Sequence, residues 1–216
     1  VNSGETSNDS TISLTFTSSE STTNFIASDI TISGGSLSSF SGSGTTYTAT
    51  LTPSGDATYT INVAQNKFTD SSGNNNSASN TFTWTYDSTS PTMTISSSTV
   101  NSGETSNDST ISLTFTSSEN TTNFIVSDIT ISGGSLSSFS GSGTTYTATL
   151  TPSGNATYTI NVAQNKFTDS SGNNNIASNT FTWTYDGTAP TISGVSLASD
   201  NTTMTVTFSE AVYNTN

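Results

Sequence analysis

The 216-residue chain has no cysteine and no histidine, and its only basic residues are Lys67 and Lys166. Without cysteine there is no disulfide and no thiolate nucleophile. Without cysteine and histidine there is no structural zinc site and no imidazole base. Two basic residues stand against 15 acidic ones, a formal net charge of −13. Such a chain cannot track a phosphate backbone, so nucleic acid is excluded as a partner. Anionic lipid surfaces repel it as well. Long apolar runs are also missing. None approaches the ~20 residues that a helix needs to cross a bilayer, so no membrane insertion is expected in this segment.

Hydrophobic residues make up 29% of the chain, against the roughly 45–50% usual for globular domains. Serine and threonine take their place, 45 and 47 residues respectively. Abundant serine does not make an enzyme. Only Lys67 or Lys166 could activate one, and each stands beside a phenylalanine, Phe68 or Phe167, at the same place in a repeated segment. They read as solvated loop residues. Paired carboxylates could hydrolyse glycosides, yet no insertion long enough to form a cleft interrupts the short loops. The chain is therefore read as non-catalytic.

The sequence repeats itself. VNSGETSNDSTISLTFTSSE begins at Val1 and again at Val100, and residues 1–92 align with 100–191 without a gap. The copies differ at six positions: Ser21/Asn120, Ala27/Val126, Asp56/Asn155, Ser77/Ile176, Ser88/Gly187 and Ser90/Ala189. A 99-residue period is too long for a solenoid unit that leans on its neighbours. It suits a self-contained β-sandwich of ~100 residues. The expected domains are 1–90, 91–189 and a diverged, incomplete third at 190–216. In the third, TVTFSE aligns with LTFTSSE, so Glu210 stands in the place of Glu119. TMTI at Thr92–Ile95 precedes the second copy and has no counterpart before the first. The chain is thus read as a segment of a longer protein, its first strand missing.

Low apolar content can mean disorder, but the apolar residues alternate. Ile12, Leu14 and Phe16 are separated by Ser and Thr, as are Tyr47, Ala49 and Leu51, Tyr59, Ile61 and Val63, and Phe82, Trp84 and Tyr86. This is the period-2 signal of half-buried strands, with branched threonine suited to the outward face. Gly34-Gly35, Gly42–Gly44, Pro53–Gly55 and Asp70–Asn74 read as turns. In the second copy, strands are expected near 92–95, 110–116, 124–132, 136–140, 145–151, 157–163 and 180–185. About seven strands per repeat give an all-β chain of tandem Ig-like sandwiches. The aromatics mostly fall in the inward phase, which favours core over a glycan-binding surface; Tyr213 has no strand context.

The ordered series SE-x-TTNF, SDITISGGSLSSFSGSGTTYTATLTPSG, the DSSGNNN loop and TFTWTYD resembles the bacterial Ig-like repeats of giant surface adhesins, the biofilm-associated and RTX types. The resemblance covers nearly all of residues 1–190. It implies an extracellular extender on the cell surface, in long tandem arrays often stiffened by calcium. Similar modules also decorate phage tails.

The acidic residues carry the one chemical expectation. If strands alternate up and down through the second sandwich, linker residue Asp87, Glu119 and the loop residue Asp169 all reach the same end, where the first sandwich abuts. Converging carboxylates repel one another unless a cation intervenes. Ca²⁺ takes six to eight oxygens, and loop carbonyls or the Asn173–Asn175 amides are expected to complete its shell. The same logic places Asp186 with Glu210 at the next junction, and Glu20 with Asp70 at the first junction, which lacks a linker Asp before Val1. Asp29 and Asp128 are weaker candidates. The expected function is a structural spacer whose partners are neighbouring Ig-like domains of the same chain. The alternatives are a phage tail or extracellular filament, in which incomplete domains borrow strands from other copies, and a glycan-binding surface module.

Overall fold

The computed structural model describes residues 1–212; Tyr213 lies outside the described residues. The alternating segments form strands. The first repeat contains β1 (Glu5–Ser7), β2 (Ile12–Thr22), β3 (Ile30–Ile32), β4 (Ser36–Thr52), β5 (Ala57–Val63) and β6 (Phe82–Tyr86). The second contains β7 (Met93–Ser97), β8 (Thr105–Ser106), β9 (Ile111–Thr121), β10 (Ile129–Ile131), β11 (Ser135–Thr151), β12 (Ala156–Val162) and β13 (Phe181–Tyr185). β14 (Ile192–Leu197) and β15 (Met204–Phe208) form a separate antiparallel hairpin.

Each repeat packs two sheets. In the second, one sheet runs β8-β13-β12-β10 and the other β7-β9-β11. The first repeat matches the four-stranded sheet as β1-β6-β5-β3, but its second sheet is only β2-β4. Inward residues of facing strands close the core. Ile111, Leu113 and Phe115 of β9 are fully buried, as are Leu150, Ile160 and Trp183 from β11, β12 and β13. Burial of a side chain of this size stabilises by about 1.5–3 kcal/mol. At one end an aromatic cluster forms around Phe124, whose ring centroid lies 5.1 Å from Tyr146 and 5.3 Å from Phe167. The indole of Trp183 donates to Ser106 Oγ at 3.0 Å, so its one polar atom is satisfied inside the sandwich.

Four details depart from the sequence reading. The two strands expected at 136–140 and 145–151 are one continuous element, β11. It nevertheless doubles back at the glycines. Phe139 and Tyr146 stack with centroids 5.8 Å apart, and Ser140 Oγ lies 3.3 Å from Thr147 Oγ1. Residues seven apart on a straight strand would be separated by roughly 23 Å. Gly141 (φ 136°) makes the reversal possible, since a Cβ there would lie 2.3 Å from the Thr145 carbonyl. The strand expected at 124–132 is a single 3-10 turn at Val126–Asp128 followed by the short β10. The loop after Glu104 contains β8, which pairs in parallel with β13. Glu119 lies within β9 rather than in the loop beyond it.

Candidate metal centre between the sandwiches

The junction is assembled from backbone contacts. The chain leaves β6 at Asp87, whose N–H donates to the Ser7 carbonyl at 3.1 Å and whose Oδ1 accepts from Thr89 N–H at 3.0 Å. The linker is thereby held against β1 before it turns into the second sandwich. There, Pro91 is buried and its carbonyl accepts from Ile176 N–H at 3.1 Å. The turn after β1 closes the contact, because Asn8 N–H donates to the Ser171 carbonyl at 3.1 Å.

The loop bearing Asp169 shapes itself. Asp169 Oδ1 accepts from Ser171 N–H and Asn173 N–H, both at 2.8 Å, and Oδ2 accepts from Asn173 Nδ2 at 2.9 Å. This is a side chain standing in for backbone at a turn. Asp70 does the same for its own loop, accepting from Ser72 N–H and Asn74 N–H at 2.8 Å each. The loop therefore takes its form whether or not another sandwich sits beside it. In the second sandwich it also grips the linker: Ser171 Oγ donates to Asp87 Oδ2 at 2.7 Å, and Asn173 Nδ2 to the Asp87 carbonyl at 3.0 Å.

Glu119 completes the group from β9. One carboxylate oxygen each of Asp87, Glu119 and Asp169 lies within 4.8 Å of the others, with Asp169 buried and the other two half-buried. The field on Glu119 is one-sided. Burial pushes its carboxyl above the usual glutamate range, and the charges of Asp87, Asp169 and Asp56 push it further the same way. No basic side chain is among its perturbing charges. The donors are all oxygen and the charge is uncompensated, so the residues fit a hard divalent cation such as Ca²⁺.

The other predicted residues are less assembled. Asp186 repeats the local role of Asp87, with Oδ1 accepting from Thr188 N–H at 3.0 Å and from Asn155 Nδ2 at 2.8 Å. Glu210 takes the register of Glu119, since Ser209 N–H donates to Thr191 O just as Ser118 N–H donates to Thr92 O. Among the described residues its Oε1 is buried without a hydrogen-bond partner. Glu20 is exposed and Asp70 half-buried at the corresponding end of the first sandwich, and no third carboxylate is grouped with them among the described residues. Asp29 and Asp128 are local caps, accepting from Ile26 N–H at 3.0 Å and Ile125 N–H at 2.9 Å. Lys67 and Lys166 are exposed.

The expectation that amides of Asn173–Asn175 complete an ion's shell needs correction. Asn173 turns its Nδ2 donor toward Asp87 and Asp169. Asn175 is saturated within its own loop: Oδ1 accepts from Lys166 and Phe167 N–H, while Nδ2 donates to the carbonyls of Ala163 and Ile176. Asn175 therefore has its amide oxygen occupied elsewhere, and Asn173 presents its amide nitrogen to two residues of the cluster. Sequence reasoning also missed Asn8 and Ser171. Their contacts are backbone–backbone or between loops 84 residues apart, and no composition or spacing signal marks them.

A family model described as a bacterial Ig-like domain matches residues 1–86 and again 87–185. Comparison with curated proteins finds no match.

Proposed function

Because the chain belongs to the family of bacterial Ig-like domains, a structural repeat module, we propose that it is a non-catalytic stalk segment of a long extracellular surface adhesin, stiffened by Ca²⁺ between successive sandwiches. One observation carries the reading: Asp87, Glu119 and Asp169 come from the linker, a strand and a distant loop, yet their oxygens gather within 4.8 Å.

The physical consequence concerns bending. The segment from Asp87 to Pro91 is held on one side by Ser7 and on the other by Ser171, Asn173 and Ile176. These are single hydrogen bonds at an exposed junction, each worth about 0.5–1.5 kcal/mol net. They are opposed by repulsion among the carboxylates. A divalent cation bound there supplies positive charge that turns this repulsion into mutual attraction. Asp87, Glu119 and Asp169 would hold it and so tie linker, β9 and loop into one unit. Weak extracellular Ca²⁺ sites have Kd of about 10⁻⁴–10⁻³ M, which suits calcium-rich surroundings outside a cell. The net charge of −13 keeps neighbouring stalks apart.

The test is a Ca²⁺ titration of the EDTA-treated full chain. Saturable binding with a raised Tm and a longer, less variable maximum dimension by small-angle X-ray scattering is expected. Unchanged melting and unchanged scattering at 10 mM Ca²⁺, about ten times the weaker Kd, would overturn the stiffening.

A further inference from the structure

The segment that contains β8 is held by polar contacts alone. Residues 102–106 read SGETS and bring no apolar side chain to the core. β8 itself is two residues long. Yet the segment makes five hydrogen bonds to residues 182–186. Thr182 N–H donates to Ser102 Oγ at 3.0 Å, and Gly103 N–H to the Thr182 carbonyl at 2.8 Å. Thr184 N–H donates to the Glu104 carbonyl at 2.9 Å, and Asp186 N–H to the Ser106 carbonyl at 3.0 Å. The fifth bond runs from the Trp183 indole to Ser106 Oγ and ties the segment to the core. Glu104 braces the turn above, its carboxylate accepting from Asn101 N–H at 2.7 Å and Asn101 Nδ2 at 2.8 Å. The first sandwich repeats these contacts: Thr83 N–H donates to Ser3 Oγ, Gly4 N–H to Thr83 O, Asp87 N–H to Ser7 O and the Trp84 indole to Ser7 Oγ.

A strand with no apolar residue adds little to the core, and covering the edge of β13 does not require so many bonds. Its direction supplies a reason. β8 runs parallel to β13. The chain comes to β8 from the end where the incoming linker lies. There Ile176, in the connection leading to β13, donates to the Pro91 carbonyl, and Asn179, two residues before β13, clasps the backbone of Ile95 in β7. The chain leaves β13 at the opposite end, where Asp186 lies against Asn155 of the turn before β12. A pull along the chain therefore draws the upper end of β8 one way and the lower end of β13 the other. Bonds between parallel strands loaded in this sense share the force and break together. A pair drawn apart from one end loses them singly.

We propose that residues 102–106 against 182–186, and 3–7 against 83–87, are force-bearing latches that set the tension at which each sandwich opens. The proposal rests on the reading of the chain as a stalk, which carries tension along its length, but the latch itself needs no cation. Forced opening is governed by the unfolding barrier rather than by overall stability. Two exposed or half-buried serines that contribute little to the melting temperature can therefore decide how much load the fold bears. Ser106 also explains why the one polar atom of a fully buried tryptophan is spent on an edge strand rather than on the neighbouring core strand.

The chain has no cysteine, so introduced cysteines give unique handles for stretching the full chain in optical tweezers. Ser98, Asn107 and Ala189 are exposed. Handles at Ser98→Cys and Ala189→Cys load the latch of the second sandwich in shear and leave β7 outside the load path. Handles at Asn107→Cys and Ala189→Cys draw the same two strands apart from their lower end. In EDTA, where a junction cation plays no part, the first rupture in shear should need roughly 3–5-fold more force, because the five bonds share the load. Ser102→Ala with Ser106→Ala should lower the shear force by about a third, as two of those bonds are lost. Ile160→Val trims a fully buried side chain of β12 outside the latch. It should lower Tm by a few degrees and leave the shear force unchanged. Equal forces in the two geometries would overturn the proposal, as would an Ile160→Val chain that weakens in shear as much as the serine variant. Either result would leave calcium stiffening standing, and a chain indifferent to Ca²⁺ would leave the ratio of forces as it is.

Discussion

The two sandwiches are an internal controlled experiment. At 86 of 92 aligned positions their sequences are identical, yet equivalent residues live in different surroundings. Asp169 is 6% exposed, as are Ser171 and Asn173 at 7% and 8%, while Asp70 is half-buried and Ser72 and Asn74 are exposed. Val100 is 6% exposed and Val1 48%. None of this follows from local sequence. It follows from what lies beside the loop among the described residues: for the second sandwich a linker and the turn of a preceding sandwich, for the first neither of these. The loop hydrogen bonds around Asp70 and Asp169 are nevertheless the same. Local structure is thus encoded in each repeat, while burial and electrostatics of the end loops are properties of the pair.

The sharpest way to break this comparison is through the core. Phe167 is 1% exposed, so Phe167→Ala should destabilise the second sandwich by about 3–5 kcal/mol through lost transfer energy and a residual cavity. Phe68 already faces an open groove, and Phe68→Ala should cost the first sandwich roughly half as much. Urea titrations that follow assigned amide signals of each sandwich separate the two values. Equal costs would mean that the groove collapses in solution and that the sandwiches are alike after all.

Calcium should act on one sandwich more than the other. With Kd of about 10⁻⁴–10⁻³ M, 10 mM Ca²⁺ stabilises the bound form by roughly 1.4–2.7 kcal/mol. That gain should appear in the transition of the second sandwich, which contributes Glu119 and Asp169 to the cluster. The first has only Glu20 and Asp70 at its corresponding end, and its transition should move little. The check is the same urea titration with and without the ion. Equal shifts in both would show that two carboxylates suffice or that binding is diffuse.

These differences bear on what the residues alone disclose. The strands were legible because Ile, Leu and Phe at positions 111, 113 and 115 alternate with Ser and Thr, and that alternation has no other stable reading. β8 was not legible: it is two residues long, without alternation, and exists because its backbone lies along β13. The doubled-back course of β11 was half legible. Gly141 and Gly143 announce a reversal, but not that pairing continues through it. For the candidate site, Asp87, Glu119 and Asp169 could be placed at one end by counting strand directions. Asn173 and Asn175 could not, since an amide presents either an oxygen or a nitrogen and only the surrounding loop decides which.

Glu119 should respond to substitution with opposite sign in the two ionic states. Its carboxyl titrates above the usual range because of burial and then the charges of Asp87 and Asp169. A group whose folded-state pKa is raised binds more protons in the folded protein than in the unfolded one. Stability of the EDTA-treated chain should therefore fall as pH rises from the ordinary glutamate range through the raised folded value, and stay low above it. Glu119→Gln removes that charge and should raise Tm in EDTA at neutral pH by a few degrees, while lowering it in 10 mM Ca²⁺ by losing a ligand oxygen. Calorimetry in both buffers reads the two signs. A loss of Tm in both would make Glu119 a packing residue only. Glu20→Gln, at the exposed equivalent position, should change neither.

The smallest expected effect concerns the linker clamp, where the two copies differ chemically. Asp56 accepts from Ser88 N–H at 2.8 Å, Ser88 Oγ at 2.7 Å and Thr89 Oγ1 at 2.8 Å. Those bonds, the Ser88 side chain first, hold its carboxyl below the usual aspartate range. Asn155, at the equivalent place, accepts from Gly187 N–H at 2.9 Å and turns its Nδ2 to Asp186 and Thr188. One clamp adds a charge beside the acidic cluster, and the other adds a donor that helps neutralise the linker aspartate. Asp56→Asn should convert the first type into the second. Two opposing changes then nearly cancel in stability: a charge-assisted acceptor is lost at a solvent-exposed site, and the repulsion that Asp56 exerts on Glu119 disappears. Tm should therefore move by about a degree at most, within the ordinary range for surface substitutions. The Glu119 titration, followed by carboxyl-carbon NMR in EDTA, should move downward. If it stays where it was, the clamp is electrostatically isolated from the cluster, and the choice of Asp or Asn at this position sets only how the linker is held.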